Sequence, residues 1–247
     1  MTARSEADTT EDAILGGRVR LRQPGRGYRV AIDPVLLAAA VVAGPGDRIL
    51  DAGTGTGAAA LCLARRCAGV RLLGLEREPA LLELARANVA TNRLDDRIEL
   101  AAGDLLAPFR GEPFDQVMSN PPFHREGRAT APATATAMAA HQGEADAGAW
   151  VAACLARLRP RGRLTLIHRP EALPELLAAL AGRAGDVLVY PLWPTAEAAA
   201  ARRVVVTARK GAHGPARLAR GLVLHGPDGG YSEPAEAVLR HALPLEL

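Results

Sequence analysis

The chain has 247 residues, of which 49% are hydrophobic and 23% charged, enough to bury a full core as one large α/β domain or two small ones. No apolar run reaches the roughly 18–20 residues of a membrane span, and Glu6, Asp8, Glu11 and Asp12 precede any apolar run, which is not the pattern of a signal peptide. The net charge of +3 is weak support for a polyanionic partner, because Lys210 is the only lysine and the arginine excess reads as compositional bias. Cys62, Cys67 and Cys154 form no CxxC pair, and their odd number argues against a disulfide framework. They fit buried small hydrophobes in a reducing compartment, so a cytoplasmic location and no metal are expected.

Residues 1–13 are polar and read as a disordered tail. Short strands and turns are predicted over 14–31, where glycines stand at 16, 17, 25 and 27. Asp33-Pro34 resembles a helix start, aspartate at the N-cap and proline at the first helical position, and the helix continues from Val35 to Val42. Beyond Gly44-Pro45-Gly46, strands are predicted at 48–51, 70–75, 97–100, 115–119, 163–168 and 186–190, alternating with helices at about 57–67, 79–91, 147–158 and 171–182. Such alternation predicts an α/β fold, a parallel sheet covered by helices on both faces. Residues 203–208 read as one more strand with no long helix before it, which predicts an antiparallel neighbour to the last parallel strand. No linker divides the chain, so 14–247 is expected to form a single domain. Residues 124–146 lack periodicity, and their length and position favour a lid that contacts substrate over a floppy insertion.

The first chemical signal is Asp51-Ala52-Gly53-Thr54-Gly55-Thr56-Gly57, at a strand-to-helix turn. Alternating glycines there allow positive φ and close approach of a ligand to the backbone, and the free N–H groups of the following helix favour a negatively charged group. Glu76 ends the next strand, where a carboxylate can accept two hydrogen bonds from a ribose diol. A nucleoside cofactor is therefore expected. The spacing is G-x-G-x-G, an imperfect match to the pyrophosphate-binding fingerprint of dinucleotide sites. Asp104 follows the third strand and either accepts from an adenine amino group or serves a turn or helix cap. The second signal is Asn120-Pro121-Pro122-Phe123, an amide side chain at a strand's end followed by two prolines that stiffen the backbone around it.

In this order, the glycine turn, Glu76, Asp104 and Asn120-Pro121-Pro122-Phe123 resemble the motifs of Rossmann-like class I S-adenosylmethionine methyltransferases. The resemblance covers about residues 14–240 and implies a seven-stranded, mostly parallel sheet with an antiparallel last strand. It implies S-adenosyl-L-methionine as cofactor, held by Asp51, Gly53, Thr54, Gly55, Gly57, Glu76, Asp104 and Asn120. The N/D-P-P-F/Y tetrad resembles the active-site motif of amino methyltransferases, which act on a planar nitrogen. The exocyclic amine of a base is a poor nucleophile because its lone pair is delocalised into the ring. Asn120 Oδ1 and the Pro121 carbonyl can each accept one of its N–H bonds and favour the charge that develops on nitrogen. Pro122 stiffens the turn, and Phe123 can stack on the base.

The tetrad is shared by enzymes acting on adenine, guanine and protein glutamine. Residues 22–42, with Gly27-Tyr28-Arg29 and Ile32-Asp33-Pro34-Val35-Leu36-Leu37, resemble the entry segment of the tRNA adenine-N6 methyltransferase family, whose members modify the adenosine next to the anticodon of a valine tRNA. In such enzymes the segment (here 14–44) covers the cofactor, which makes Tyr28 and Asp33 pocket residues, although Asp33 equally fits a helix cap. His124 after Phe123 also resembles ribosomal RNA guanine-N2 methyltransferases, which usually carry a second domain; glutamine methyltransferases of release factors usually carry a helical N-terminal domain. Transfer to tRNA adenine is the first expectation, rRNA guanine the second, protein glutamine the third, and an idle cofactor- or RNA-binding scaffold the alternative outside enzymes. Two basic stretches without acids support RNA contact or form a solvated face: Arg18, Arg20, Arg22, Arg26 and Arg29, and Arg202, Arg203, Arg209, Lys210, Arg217 and Arg220. Of these, Arg202 and Arg203 are the expected substrate contacts.

Overall fold

The computed structural model describes residues 9–25, 30–121 and 146–247. Its first elements are an antiparallel hairpin, β1 (Thr9–Ile14) and β2 (Val19–Pro24), and a helix, α1 (Asp33–Ala40). The alternating core follows: β3 (Arg48–Ala52), α2 (Ala58–Arg66), β4 (Arg71–Glu76), α3 (Pro79–Thr91), β5 (Ile98–Ala102) and β6 (Phe114–Ser119). From residue 146 onward come α4 (Ala147–Arg157), β7 (Leu158–His168), α5 (Leu173–Leu180), β8 (Ala184–Trp193), β9 (Arg203–Lys210), the two-residue strands β10 (Arg217–Leu218) and β11 (Leu222–Val223), and α6 (Glu233–His241).

Across the sheet the strands run β8-β9-β7-β6-β3-β4-β5, parallel except for β9, which is antiparallel to both neighbours. β10 and β11 extend the β8 edge, parallel to it. The seven expected strands are therefore present, but β9 is not the last in sequence. Two-residue strands carry no alternation that a sequence reading can register. Side chains alternate between the two faces, so Ile49 enters a core beneath α1, α2 and α6 while Leu50 enters one beneath α4 and α5. Cys62 and Cys154 lie inside these cores, where burial pushes both thiols up to about 12. Among the described residues no helix is long and apolar enough to cross a membrane, and no three His, Cys, Asp or Glu side chains are grouped to hold a metal.

Two expectations need correction. The polar tail does not extend to residue 13, because Thr9–Ile14 pairs with β2 in full register. Its sequence, TTEDAI, is too acidic to read as a strand, and the pairing partner supplies what local propensity lacks. Asp33 does not cap α1. Ile32 occupies the N-cap, and Asp33 begins the helix proper with its carboxylate paired to Arg203 Nε at 2.7 Å.

The outer edge of β2 is covered in an unusual way. Arg22 donates its N–H to Asn88 Oδ1 (2.7 Å), and Asn88 Nδ2 returns a bond to the Arg22 carbonyl (2.8 Å). Asn92 repeats the pattern with Arg20, at 3.0 and 2.7 Å. Four helical residues rise about 6 Å and two strand residues about 6.6 Å, so asparagines spaced i, i+4 match backbone groups spaced i, i+2. One helix face thus imitates a neighbouring strand.

Candidate functional site

The carboxyl ends of β3, β4, β5 and β6 lie side by side, and strand order reverses between β3 and β6. Open α/β sheets form their ligand crevice at such a reversal. Here the crevice is bordered by the glycine turn after β3 and by Asn120 after β6.

Gly53, Gly55 and Gly57 all adopt the left-handed region, with φ of 72°, 58° and 84°. That conformation curls the chain tightly enough for the Gly53 and Thr54 N–H groups both to reach the Leu75 carbonyl, at 2.9 and 3.0 Å. Gly57 is the N-cap of α2 and offers no side-chain cap, and the Ala60 N–H of the first turn bonds Asp51. Thr54 packs onto Gly74 of β4, where an added Cβ would lie 3.0 Å from its Oγ1. Beneath the turn, Asp51 is almost fully buried and accepts a 2.6 Å bond from the Thr54 hydroxyl. Burial pushes its carboxyl up to about 6 against the opposing effect of the Thr54 and Ala60 hydrogen bonds, with a further push from Glu76.

Glu76 ends β4 with its carboxylate inside the crevice wall. Oε2 accepts from the Gly55 N–H and Oε1 from the Arg77 and Glu78 N–H groups, all at 2.9 Å. A carboxylate oxygen has about two acceptor sites, so Oε2 retains one. Asp104 lies exposed after β5, where Oδ1 accepts from the Leu106 N–H at 2.8 Å; the turn role foreseen for it is present.

On the other side, Ser119 closes β6 with its hydroxyl donating to the Ala52 carbonyl at 2.6 Å. Asn120 follows, and its Oδ1 is buried with no hydrogen-bond partner among the described residues. Pro121 is buried beside it. Pro122, Phe123 and Tyr28, together with 124–145 of the expected lid, fall outside the described residues. Asp146, the last residue of that stretch, caps α4 by accepting from the Gly148 N–H.

The sequence reading missed Trp150. Its indole N–H donates to Ser119 Oγ at 3.0 Å, and its ring lies where a Cβ on Gly53 would fall, 3.2 Å away. One side chain of α4 therefore touches both borders of the crevice. The only available signal was that a buried indole N–H needs a partner.

Asp33 and Arg203 pair with each other on the same carboxyl edge of the sheet as Asn120. The pair sits one strand beyond β7, where β9 begins opposite His168. The Arg203 Nε bonds Asp33 while its side chain keeps 30% exposure, and Arg202 is exposed. The stretch 201–220 does not form one basic patch. The eight residues of β9 carry Arg203 and Lys210 about 23 Å apart, to opposite ends of the sheet.

The family model for the methyltransferase small domain matches residues 32–179. A tRNA1(Val) (adenine(37)-N6)-methyltransferase of Porphyromonas gingivalis is 37% identical over 168 residues, which are 64% of this chain and 66% of that relative. The enzyme of the same description from Aeromonas hydrophila is 29% identical over 214 residues, 83% of this chain and 86% of the relative. Among solved structures, a protein described as a predicted O-methyltransferase, from Agrobacterium tumefaciens, superposes with a TM-score of 0.69 at 25% identity, covering 83% of this chain and 94% of that one. The chain belongs to the methyltransferase small domain family and has the fold of class I S-adenosylmethionine-dependent methyltransferases.

Proposed function

We propose that this protein transfers a methyl group from S-adenosylmethionine to the exocyclic N6 of adenine in a tRNA, next to the anticodon. The single observation that carries the reading is Asn120 Oδ1, a buried acceptor with no partner among the described residues, at the carboxyl end of β6. Buried polar atoms are nearly always paired, and an amine N–H is the partner that an acceptor-only oxygen suits. The names of the relatives from Porphyromonas and Aeromonas support adenine as the acceptor and tRNA as the partner.

The crevice fits the cofactor. The left-handed glycines let a ligand approach the turn's backbone closely, and Glu76 Oε2, which already accepts from the Gly55 N–H, keeps an acceptor site for a ribose hydroxyl. Asp104 Oδ2 is the acceptor assigned to the adenine edge. When bound, S-adenosylmethionine supplies an electrophilic methyl group. The protein's share is to orient the acceptor. Asn120 Oδ1 and the Pro121 carbonyl accept the two amine N–H bonds, which turns the nitrogen lone pair out of conjugation with the ring. As positive charge develops on nitrogen, the same two oxygens stabilise it. No tuned base is needed, because the alkylated nitrogen is acidic and its proton passes to water. Phe123 is assigned the stacking role on the base. The chain works as one methyltransferase domain from β1 onward, and a tRNA substrate places it in the cytoplasm.

Incubation with labelled S-adenosylmethionine and total RNA lacking native modification, followed by nucleoside analysis, tests the proposal. N6-methyladenosine is expected. N2-methylguanosine, or label only in a protein glutamine, would overturn the assignment of the acceptor, and cofactor binding without any transfer would indicate a scaffold.

A further inference from the structure

Three arginines follow one another on the outer face of the hairpin. Arg20 and Arg22 are exposed and alternate with buried Val19, Leu21 and Gln23, and exposed Arg18 begins the row in the turn before β2. Alternate residues of a strand stand about 6.6 Å apart on one face, a spacing of the order that separates neighbouring phosphates along one nucleic-acid strand. The charges are lightly engaged. Arg22 pairs with Glu11 at 2.9 Å, but both side chains are largely exposed, so the pair is weak. The Arg18 guanidinium reaches the Leu15 and Arg240 carbonyls, which leave its charge uncompensated. No bond or ion pair from the Arg20 side chain is present among the described residues.

The row is also indexed to the crevice. Asn88 Nδ2, besides bonding the Arg22 carbonyl, bonds the Thr56 carbonyl of the glycine turn at 2.9 Å. Asn88 is 1% exposed and so is fixed in the core. One buried amide therefore ties the strand that carries the arginines to the loop assigned to the cofactor. A basic face that merely dissolved the protein would need no such tie.

We propose that β2 is a docking strand for RNA, with Arg18, Arg20 and Arg22 contacting phosphates of the substrate strand at a distance from the reacting base set by Asn88 and Asn92. The proposal rests on the tRNA reading above and adds the surface that holds the RNA.

The test measures binding of an unmodified tRNA transcript at several salt concentrations. In the Arg20→Ala/Arg22→Ala double variant the log–log salt slope should become shallower by about 1.4–1.8, two phosphate contacts at roughly 0.7–0.9 each. Affinity for S-adenosylmethionine, read by calorimetry, should stay unchanged, which also reports that the variant is folded. Glu11→Gln frees Arg22 and should tighten RNA binding about two- to five-fold. An Arg71→Ala/Arg183→Ala double variant removes the same charge from exposed positions at the start of β4 and near the start of β8, and should leave the slope as in the parent. An unchanged slope in the β2 variant, or an equal loss in both doubles, overturns the docking strand while the parent's RNA binding stands. A parent protein that binds no transcript at any salt overturns the tRNA reading and the docking strand together.

Discussion

A buried acceptor left without a hydrogen bond costs roughly 1–3 kcal/mol, so Asn120 Oδ1 is kept at the expense of stability. Asn120→Ala should therefore leave the melting temperature unchanged or slightly raised while lowering kcat at least about 10²-fold, the scale of one aligned transition-state contact. Asn120→Asp keeps an oxygen in place and should retain partial transfer, slowed by the altered hydration of the added charge. Cofactor affinity should change little in either variant, and single-turnover rates on one RNA decide the matter: Asp as inactive as Ala would refute the acceptor role. Asp51 presents the reverse case, a carboxyl whose burial penalises its charged form. Its carboxyl is held near 6 in the folded protein against 3.8 in the unfolded chain. Between these values the unfolded chain loses its proton first, so stability falls as pH rises from about 4 to 6 and then levels off. The ceiling of this effect is about 3 kcal/mol. Asp51→Asn should lack this component, keeping the Thr54 bond but losing the one from the Ala60 N–H. Urea melts at pH 4.5 and 7.5 should then show a smaller difference for the variant than for the parent.

At the scale of elements, the pairing of β2 with α3 depends on two asparagines that no hydrophobic period marks. Both lie within the 79–91 helical stretch and at its end, where asparagine is a mediocre helix former and reads as a helix-end signal. Their value emerges only when a strand edge comes to lie against that helix face. Asn92→Ala should expose the Arg20 N–H and carbonyl, along with losing the bond to the Asn88 carbonyl. A loss of roughly 1–3 kcal/mol is expected, with faster amide hydrogen exchange at Arg20 while exchange in β3 and β6 follows only the global change. Uniform acceleration across the sheet would mean that the hairpin is not an independently held unit. The site itself is divided in the same way. The glycine turn, Glu76 and Asn120 were legible because each sits at a strand's end with a residue type that only special geometry requires. Trp150 was not, because its two contacts, Ser119 and Gly53, lie on other elements.

For the whole molecule, the Asp33–Arg203 pair joins α1 to β9 across 170 residues of chain. Asp33 is buried, and the Arg203 side chain retains 30% exposure, so water relieves part of the loss when the pair is broken. Arg203→Ala should destabilise by about 1–3 kcal/mol, below the 3–5 typical of fully buried pairs, and should leave the salt dependence of RNA binding as in the parent. A reduced salt slope in a stably folded variant would return Arg203 to the RNA surface. What the sequence by itself determined was local: strand and helix periods, the glycine turn, the proline-stiffened asparagine, and from their order a doubly wound sheet with β9 reversed. Each is encoded within a few neighbouring residues, where backbone sterics and periodicity act. Only the tertiary structure decided which polar side chains are already spent. It paired Asp33 with Arg203, folded the acidic Thr9–Ile14 segment into a strand, and sent the arginines of 201–220 to opposite ends of the sheet. It also left Asn120 Oδ1 without a partner among the described residues. Charge and hydrogen-bond satisfaction depend on groups brought together across the chain, and no local pattern records them.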